Sequence, residues 1–206
     1  LQFEPTAIVR RDANEGAIVT SLRDVVLTPT EAWEGEDLRD PWPLRLSNGT
    51  IHLYYAAEGG IGLATASSPD GPFMRVGTAP IIAPIDVASP LRSPTVVPAP
   101  GGAGYLMYFD DGARIFVARS DDGLAFTIVD TDTATAAIDP ISLPPIIEGE
   151  TIDVHPGAIT VTVSEGRQIV RLYFDAPTAE DDNVCMAGSF DGIVFERFVP
   201  ASYVSE

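Results

Sequence analysis

An all-β fold built of repeated four-stranded antiparallel sheets is what the 206-residue sequence predicts, on three observations. A Ser-x-Asp-Gly turn closely followed by Phe occurs three times: Ser68-Pro69-Asp70-Gly71-Pro72-Phe73, Ser120-Asp121-Asp122-Gly123-Leu124-Ala125-Phe126 and Ser189-Phe190-Asp191-Gly192-Ile193-Val194-Phe195. Recurrence at a spacing of tens of residues marks a repeat architecture. Each turn is preceded by the same order of strand-like runs. Almost no stretch carries the 3.6-residue periodicity of an amphipathic helix.

Each repeat opens on a short strand that begins at a proline: Arg39-Asp40-Pro41-Trp42-Pro43-Leu44, Arg92-Ser93-Pro94-Thr95-Val96-Val97 and Val154-His155-Pro156-Gly157-Ala158-Ile159. Proline is tolerated there because no ladder bond is yet required of its nitrogen. A Gly-bearing turn follows (Ser47-Asn48-Gly49, Pro100-Gly101-Gly102, Ser164-Glu165-Gly166), then an aromatic strand: Ile51-His52-Leu53-Tyr54-Tyr55, Tyr105-Leu106-Met107-Tyr108-Phe109 and Ile169-Val170-Arg171-Leu172-Tyr173-Phe174. A strand of small residues comes next, such as Ile61-Gly62-Leu63-Ala64-Thr65-Ala66 or Ile115-Phe116-Val117-Ala118-Arg119. The Asp-Gly turn and a last strand close the unit. Asn-Gly and Asp-Gly supply the positive φ angles of tight hairpins, so neighbouring strands are antiparallel.

Four-stranded units repeated at this length predict the blades of a β-propeller, over residues 38–80, 91–130 and 153–199. Leu1-Gln2-Phe3 reads like Leu124-Ala125-Phe126, as the outer strand of a fourth blade whose earlier half is missing. Residues 1–37 are thus the end of a preceding blade plus a connection, with strand-like runs at Ala17-Ile18-Val19-Thr20 and Val25-Val26-Leu27. The chain reads as a single propeller domain or the C-terminal part of one, with further blades from the same or another chain.

Composition narrows the function classes. There are 30 acids against 12 bases, every base is Arg, and the net charge is -18. Such a surface repels phosphates, which argues against nucleic acid and anionic membranes and leaves neutral or cationic partners. No apolar run approaches the ~18 residues of a membrane helix. The acidity is equally that of a secreted or halotolerant surface, and the expected location is secreted, cell-surface or periplasmic. The single cysteine, Cys185, lies in a strand-like run and reads as a packed apolar residue. With two histidines, His52 and His155, a His-rich metal cluster is excluded, and no metal or other cofactor is predicted. The acidic loop Ala179-Glu180-Asp181-Asp182-Asn183 offers oxygen ligands for Ca²⁺ but lacks Gly-punctuated spacing, so it reads as a solvated loop.

In a propeller the first strand of each blade starts near the central channel, so residues at those starts converge. The starts hold Asp40, Ser93 and His155, each just before a proline, with Arg39 and Arg92 behind the first two. Glu148, Glu150 and Asp153 lie on the approach to the third start; Trp33 and Trp42 flank Asp40. Either tryptophan suits a sugar face or a core. The Asp of each Asp-Gly turn reads as structural, bonding the turn backbone.

Over residues 33–199 this pattern resembles the five-bladed propeller glycosidases of glycoside hydrolase families 43, 32, 62 and 68 (arabinanases, xylosidases, invertases, levansucrases). Arg39-Asp40-Pro41 is similar to the Arg-Asp-Pro signature of family 32, whose Asp holds sugar hydroxyls and stabilises the transition state; in family 43 an Asp at a blade start is the base or tunes the acid. The resemblance implies one such role for Asp40. Glu148 or Glu150 would then be the proton donor, and Arg39, Trp42, Arg92, Ser93, Asp153 and His155 would contact substrate. The Asn-Asp-Pro and Glu-Cys motifs of family 32 are absent, and Ser93 stands where an active relative would present a carboxylate. A non-catalytic sugar-binding or protein-interaction propeller is the competing expectation.

Overall fold

The computed structural model describes residues 8–11, 18–21, 25–85, 90–132, 134, 137–143, 155–177 and 183–197. A two-stranded pair, β1 (Ile8–Arg11) with β2 (Ile18–Ser21), precedes three four-stranded sheets. The first sheet holds β3 (Arg39–Arg45), β4 (Ile51–Ala57), β5 (Gly60–Ala66) and β6 (Met74–Arg75). The second holds β7 (Arg92–Pro98), β8 (Tyr105–Asp110), β9 (Ile115–Ser120) and β10 (Thr127–Ile128). The third holds β11 (Gly157–Thr162), β12 (Gln168–Asp175), β13 (Val184–Ser189) and β14 (Glu196–Arg197). Each sheet is an antiparallel meander in chain order, and the only helical pieces described are three-residue 3-10 turns. This is a partial β-propeller.

The expected outer strand at Leu1-Gln2-Phe3 falls outside the described residues. The strand-like run at residues 17–20 overlaps β2, whereas residues 25–27 have no strand partner. Instead Leu27 packs on the first sheet, because the apolar face there offers more burial than an edge ladder.

Alternation along the aromatic strands explains how the sheets stack. In β8, Leu106 and Tyr108 face the third sheet and join Val170, Leu172 and Phe174 in one core; Met107 and Phe109 face the first sheet and join Tyr54 and Leu63 in another. Period-2 alternation thus gives one strand two buried faces. Each fully buried Leu or Phe contributes about 1.5–3 kcal/mol, so these seams supply most of the gross stabilisation.

A directional contact sets how the seams align. The Tyr54 hydroxyl donates to the Gly123 carbonyl at 2.8 Å, and Tyr108 donates to the Gly192 carbonyl at 2.8 Å. Both acceptors belong to the Asp-Gly turn of the following sheet. The Phe that ends each motif packs edge-on against the same tyrosine, Phe126 on Tyr54 and Phe195 on Tyr108, with centroids 5.9 and 5.8 Å apart. Such a pair adds about 1 kcal/mol to its area term. His52 Nδ1 lies 3.2 Å from the Tyr54 hydroxyl. Since that hydroxyl gives its proton to Gly123, the imidazole donates from Nδ1. Burial lowers the His52 pKa.

Within the second and third turns the serine and aspartate have distinct tasks. Ser189 Oγ accepts the Gly192 N–H at 2.8 Å and donates to Asp191 Oδ1, which also accepts the Ile193 and Val194 N–H groups. Ser120 and Asp122 repeat the pattern. Glycine is required at the apex: φ is +78° at Gly192, and a Cβ there would collide with Leu106 Cδ1.

The other face of the first sheet is covered by residues 25–38. Leu27, Trp33 and Leu38 pack over Tyr55, Ala57 and Ala64, and the Trp33 ring stacks on Tyr55. Fully buried Glu34 ties this cover down. It accepts hydrogen bonds from the Thr30 N–H (2.7 Å), the Glu31 N–H (3.0 Å), the Tyr55 hydroxyl (2.7 Å) and Arg75 Nε (2.7 Å). Burial alone would raise the Glu34 pKa, but bonds from Arg75, Glu31, Thr30 and Tyr55 pull it down from 4.5 to about 2. A carboxyl depressed in this way stabilises the fold above its unfolded pKa and loses that contribution as the pH falls through its folded one. Urea denaturation should therefore show Glu34→Gln weaker by about 3 kcal/mol at neutral pH. The gap from the parent should narrow as the pH falls from 4.5 towards 2. An equal gap at both ends of that range would contradict the assigned role.

Candidate functional site

The first strands β3, β7 and β11 lie side by side, and their N-terminal ends gather Asp40, Ser93 and His155. Asp40 Oδ2 accepts the Ser93 N–H at 3.0 Å, a direct bond between the first two openings. One step along, Thr95 Oγ1 donates to the Pro156 carbonyl at 2.8 Å, joining the second opening to the third. Trp42 Nε1 donates to the Val96 carbonyl at 3.0 Å.

The three opening residues share a backbone signature. Asp40 and Ser93 have φ of 51° and His155 has φ of 65°, the left-handed region. The one further non-glycine there among the described residues is Glu165, in a hairpin turn. A non-glycine residue before proline favours extended backbone, so each opening stores on the order of 1–3 kcal/mol. The strand register also shifts between Arg39 and Trp42 and between Arg92 and Thr95, placing a bulge at Asp40-Pro41 and at Ser93-Pro94. Bulges re-aim side chains, and here they do so at the same point of successive blades.

Asp40 is exposed. With Oδ2 engaged by the Ser93 amide, the outer face of its carboxylate is open to a ligand hydroxyl. His155 Nδ1 stands 3.5 Å from Asp175 Oδ2, both side chains partly open to solvent. Arg39 donates from Nη2 to the Ala57 carbonyl at 3.5 Å. Arg92 lies opposite Asp110 in the β7–β8 pairing, its guanidinium over Gly112. The openings thus combine a fixed acceptor, a His–Asp pair and two cations, groups suited to polyhydroxylated neutral ligands. Glu148, Glu150 and Asp153 lie outside the described residues.

Two carboxylates escaped the sequence reading. Asp110 is fully buried; its Oδ1 accepts the Gly112 N–H at 2.9 Å, while Oδ2 has no hydrogen-bond partner. Asp175 occupies the same place in the third sheet. The signal was present as Tyr108-Phe109-Asp110 and Tyr173-Phe174-Asp175, but attention to strand starts passed over strand ends. Trp33 is a packing residue on Tyr55, and Cys185 packs half-buried against the core. A cleft of about 580 Å³ lined by Thr131, Asp139, Ile141 and Phe195 shares no residue with the openings. Among the described residues, no group of three or more His, Cys, Asp or Glu is placed to hold a metal ion.

No protein-family model and no curated protein matches the chain. Solved structures do. A glycosyl hydrolase from Bacteroides ovatus aligns at TM-score 0.60 and 19% identity over 95% of this chain and 60% of its own. An α-L-arabinofuranosidase from Clostridium thermocellum aligns at 0.55 and 17% over 79% and 51%, respectively. A family 117 glycoside hydrolase from the marine bacterium Zobellia galactanivorans aligns at 0.58 and 17% over 84% and 58%. The fold is that of the propeller glycosidases. This chain spans about half to three fifths of the length of those three proteins.

The Asp40–Ser93 bond yields a direct expectation. Hydrogen exchange followed by NMR should find the Ser93 amide protected, and Asp40→Ala should speed its exchange at least tenfold while amides of β8 and β9 keep their protection. Unchanged protection at Ser93 in the variant would contradict the convergence of the first two openings.

Proposed function

We propose that the chain is a carbohydrate-active propeller of the glycoside hydrolase type, acting on neutral oligosaccharide or polysaccharide at the mouth formed by its blade openings. The observation that carries this reading is the strained, bulged Asp40 opening, whose carboxylate is held by the neighbouring blade and faces outward. Fold alone does not assign chemistry, and the likeness to glycoside hydrolases is support of that coarser kind.

Glycoside hydrolysis uses two carboxyl groups about 5–9.5 Å apart, one donating a proton to the leaving oxygen. Asp40 is assigned as the base or transition-state stabiliser, since its pinned orientation needs no reorganisation when charge develops at the sugar. Glu148 or Glu150 is assigned as proton donor. Arg39 and Arg92 orient hydroxyls, and Trp42, Ser93, Asp153 and His155 complete the sugar contacts. A polysaccharide substrate places the protein outside the cell, on its surface or in a periplasm, in keeping with the acidic surface.

A specific observation favours a second reading, a non-catalytic sugar-binding or protein-interaction propeller. Ser93 occupies the second opening, where its side chain supplies no charge. Assay against aryl arabinofuranoside, xyloside and fructoside separates the two. Hydrolysis is expected, with a loss of about 10²–10⁴-fold in Asp40→Asn. Oligosaccharide binding without turnover favours the second reading. Turnover undiminished in Asp40→Asn would overturn the role given to Asp40.

A further inference from the structure

The first two openings each combine an arginine with a carboxylate, but the carboxylate stands in exchanged positions. Behind the openings, Arg39 and Arg92 have Ala56 and Asp110 as their cross-strand partners. The first opening thus carries its carboxylate at the strand start, as Asp40, with an alanine opposite the arginine. The second carries the uncharged Ser93 at the start and Asp110 opposite the arginine. Asp110 is fully buried and its Oδ2 has no hydrogen-bond partner, which is costly unless a counter-charge stands close by. Arg92 is placed to be that charge. The Gly112 N–H donates to Asp110 Oδ1 at 2.9 Å, and a Cβ on Gly112 would stand 3.8 Å from Arg92 Cζ. The guanidinium therefore lies against the turn that Asp110 itself closes. The turn's other carboxylate, Asp111, is already matched, since it accepts from Arg114 Nε at 2.9 Å and Nη2 at 2.6 Å. In the first sheet, where Ala56 offers no charge, Arg39 leans instead on the Ala57 carbonyl.

We infer that Asp110 is a positioning residue that holds Arg92 by charge and so makes the second opening select neutral over acidic sugars. The inference rests on the sugar reading of the mouth. Arg92 is partly exposed, so a ligand reaches the outer side of its guanidinium. An uncompensated guanidinium there would take a sugar carboxylate in a paired, charge-assisted contact. A buried carboxylate behind it offsets that pull strongly, because charges in a protein interior are poorly screened. The N–H groups of Arg92 are then left to donate to neutral hydroxyls.

Galactose and galacturonate, which differ only in a hydroxymethyl group or a carboxylate, are the probes. Each is titrated into the full chain while NMR follows the Arg92 Nε–H and Ser93 amide signals. The parent should bind galacturonate no more tightly than galactose. Asp110→Asn should tighten galacturonate by about tenfold and weaken galactose, the size expected when a charged hydrogen bond is released. Asp110→Ala, which copies Ala56, should do the same and serves if the new amide of the asparagine unfolds the chain. Adding Arg92→Gln to either variant should abolish the gain, read at Ser93. Exposed Asp121, beyond the far end of β9, controls for net charge, and Asp121→Asn should change neither affinity. Galacturonate binding unaltered or undetected in both Asp110 variants overturns the proposal, as does an equal gain in Asp121→Asn. A galacturonate gain in the Asp110 variants of a protein that ignores galactose would leave the hold on Arg92 standing and sink the neutral-sugar reading.

Discussion

A tyrosine hydroxyl given to the glycine carbonyl of the next sheet is the contact on which the arrangement of this molecule rests. Apolar burial supplies far more free energy: each seam buries several large side chains at about 1.5–3 kcal/mol apiece, against about 1 kcal/mol for one hydrogen bond. Burial is non-directional, however, and two pleated sheets can slide or rotate while keeping most of their contact. The Tyr54–Gly123 and Tyr108–Gly192 bonds admit one register, since donor, carbonyl and the edge-packed Phe must coincide. The repeated turn motif follows from that demand. Serine and aspartate hold the loop rigid, glycine provides both the positive φ and the clearance for the tyrosine, and phenylalanine completes the cradle.

With the seams in register, the first strands of successive blades lie side by side and their openings meet. The local conformation at Asp40, Ser93 and His155 is unfavourable for non-glycine residues ahead of proline, and it persists because neighbouring blades hold it. The Ser93 amide rests on Asp40 and the Pro156 carbonyl on Thr95. Strain that recurs at the same place in three blades is a feature of the site's construction. It turns side chains that would otherwise follow the strand into a common mouth.

Much of the fold was legible in the residues because the signals were local. The proline openings, the Gly-bearing hairpins, the aromatic strands and the Asp-Gly turns each have a short-range physical cause, and each recurs. What could not be read depended on contacts between distant segments. Nothing in Val25-Val26-Leu27 distinguishes a strand from a chain laid over an apolar face, and nothing around Glu34 announces that Arg75 and Tyr55 will enclose it. At the site, Asp40, Ser93 and His155 were found by repeat position, whereas Asp110 and Asp175 were missed because their importance appears only when strand ends are seen beside strand starts. Trp42 illustrates the same limit: its indole N–H is engaged by Val96 of the next blade, a partner 54 residues away.

Exchange of tyrosine hydroxyl protons, resolved by NMR of ¹³Cζ-labelled protein through deuterium isotope shifts, tests the inter-blade contact most directly. The account predicts slow exchange at Tyr54 and Tyr108 and rapid exchange at Tyr173. Hydroxyl protons at Tyr54 and Tyr108 that exchange as fast as the one at Tyr173 would contradict it.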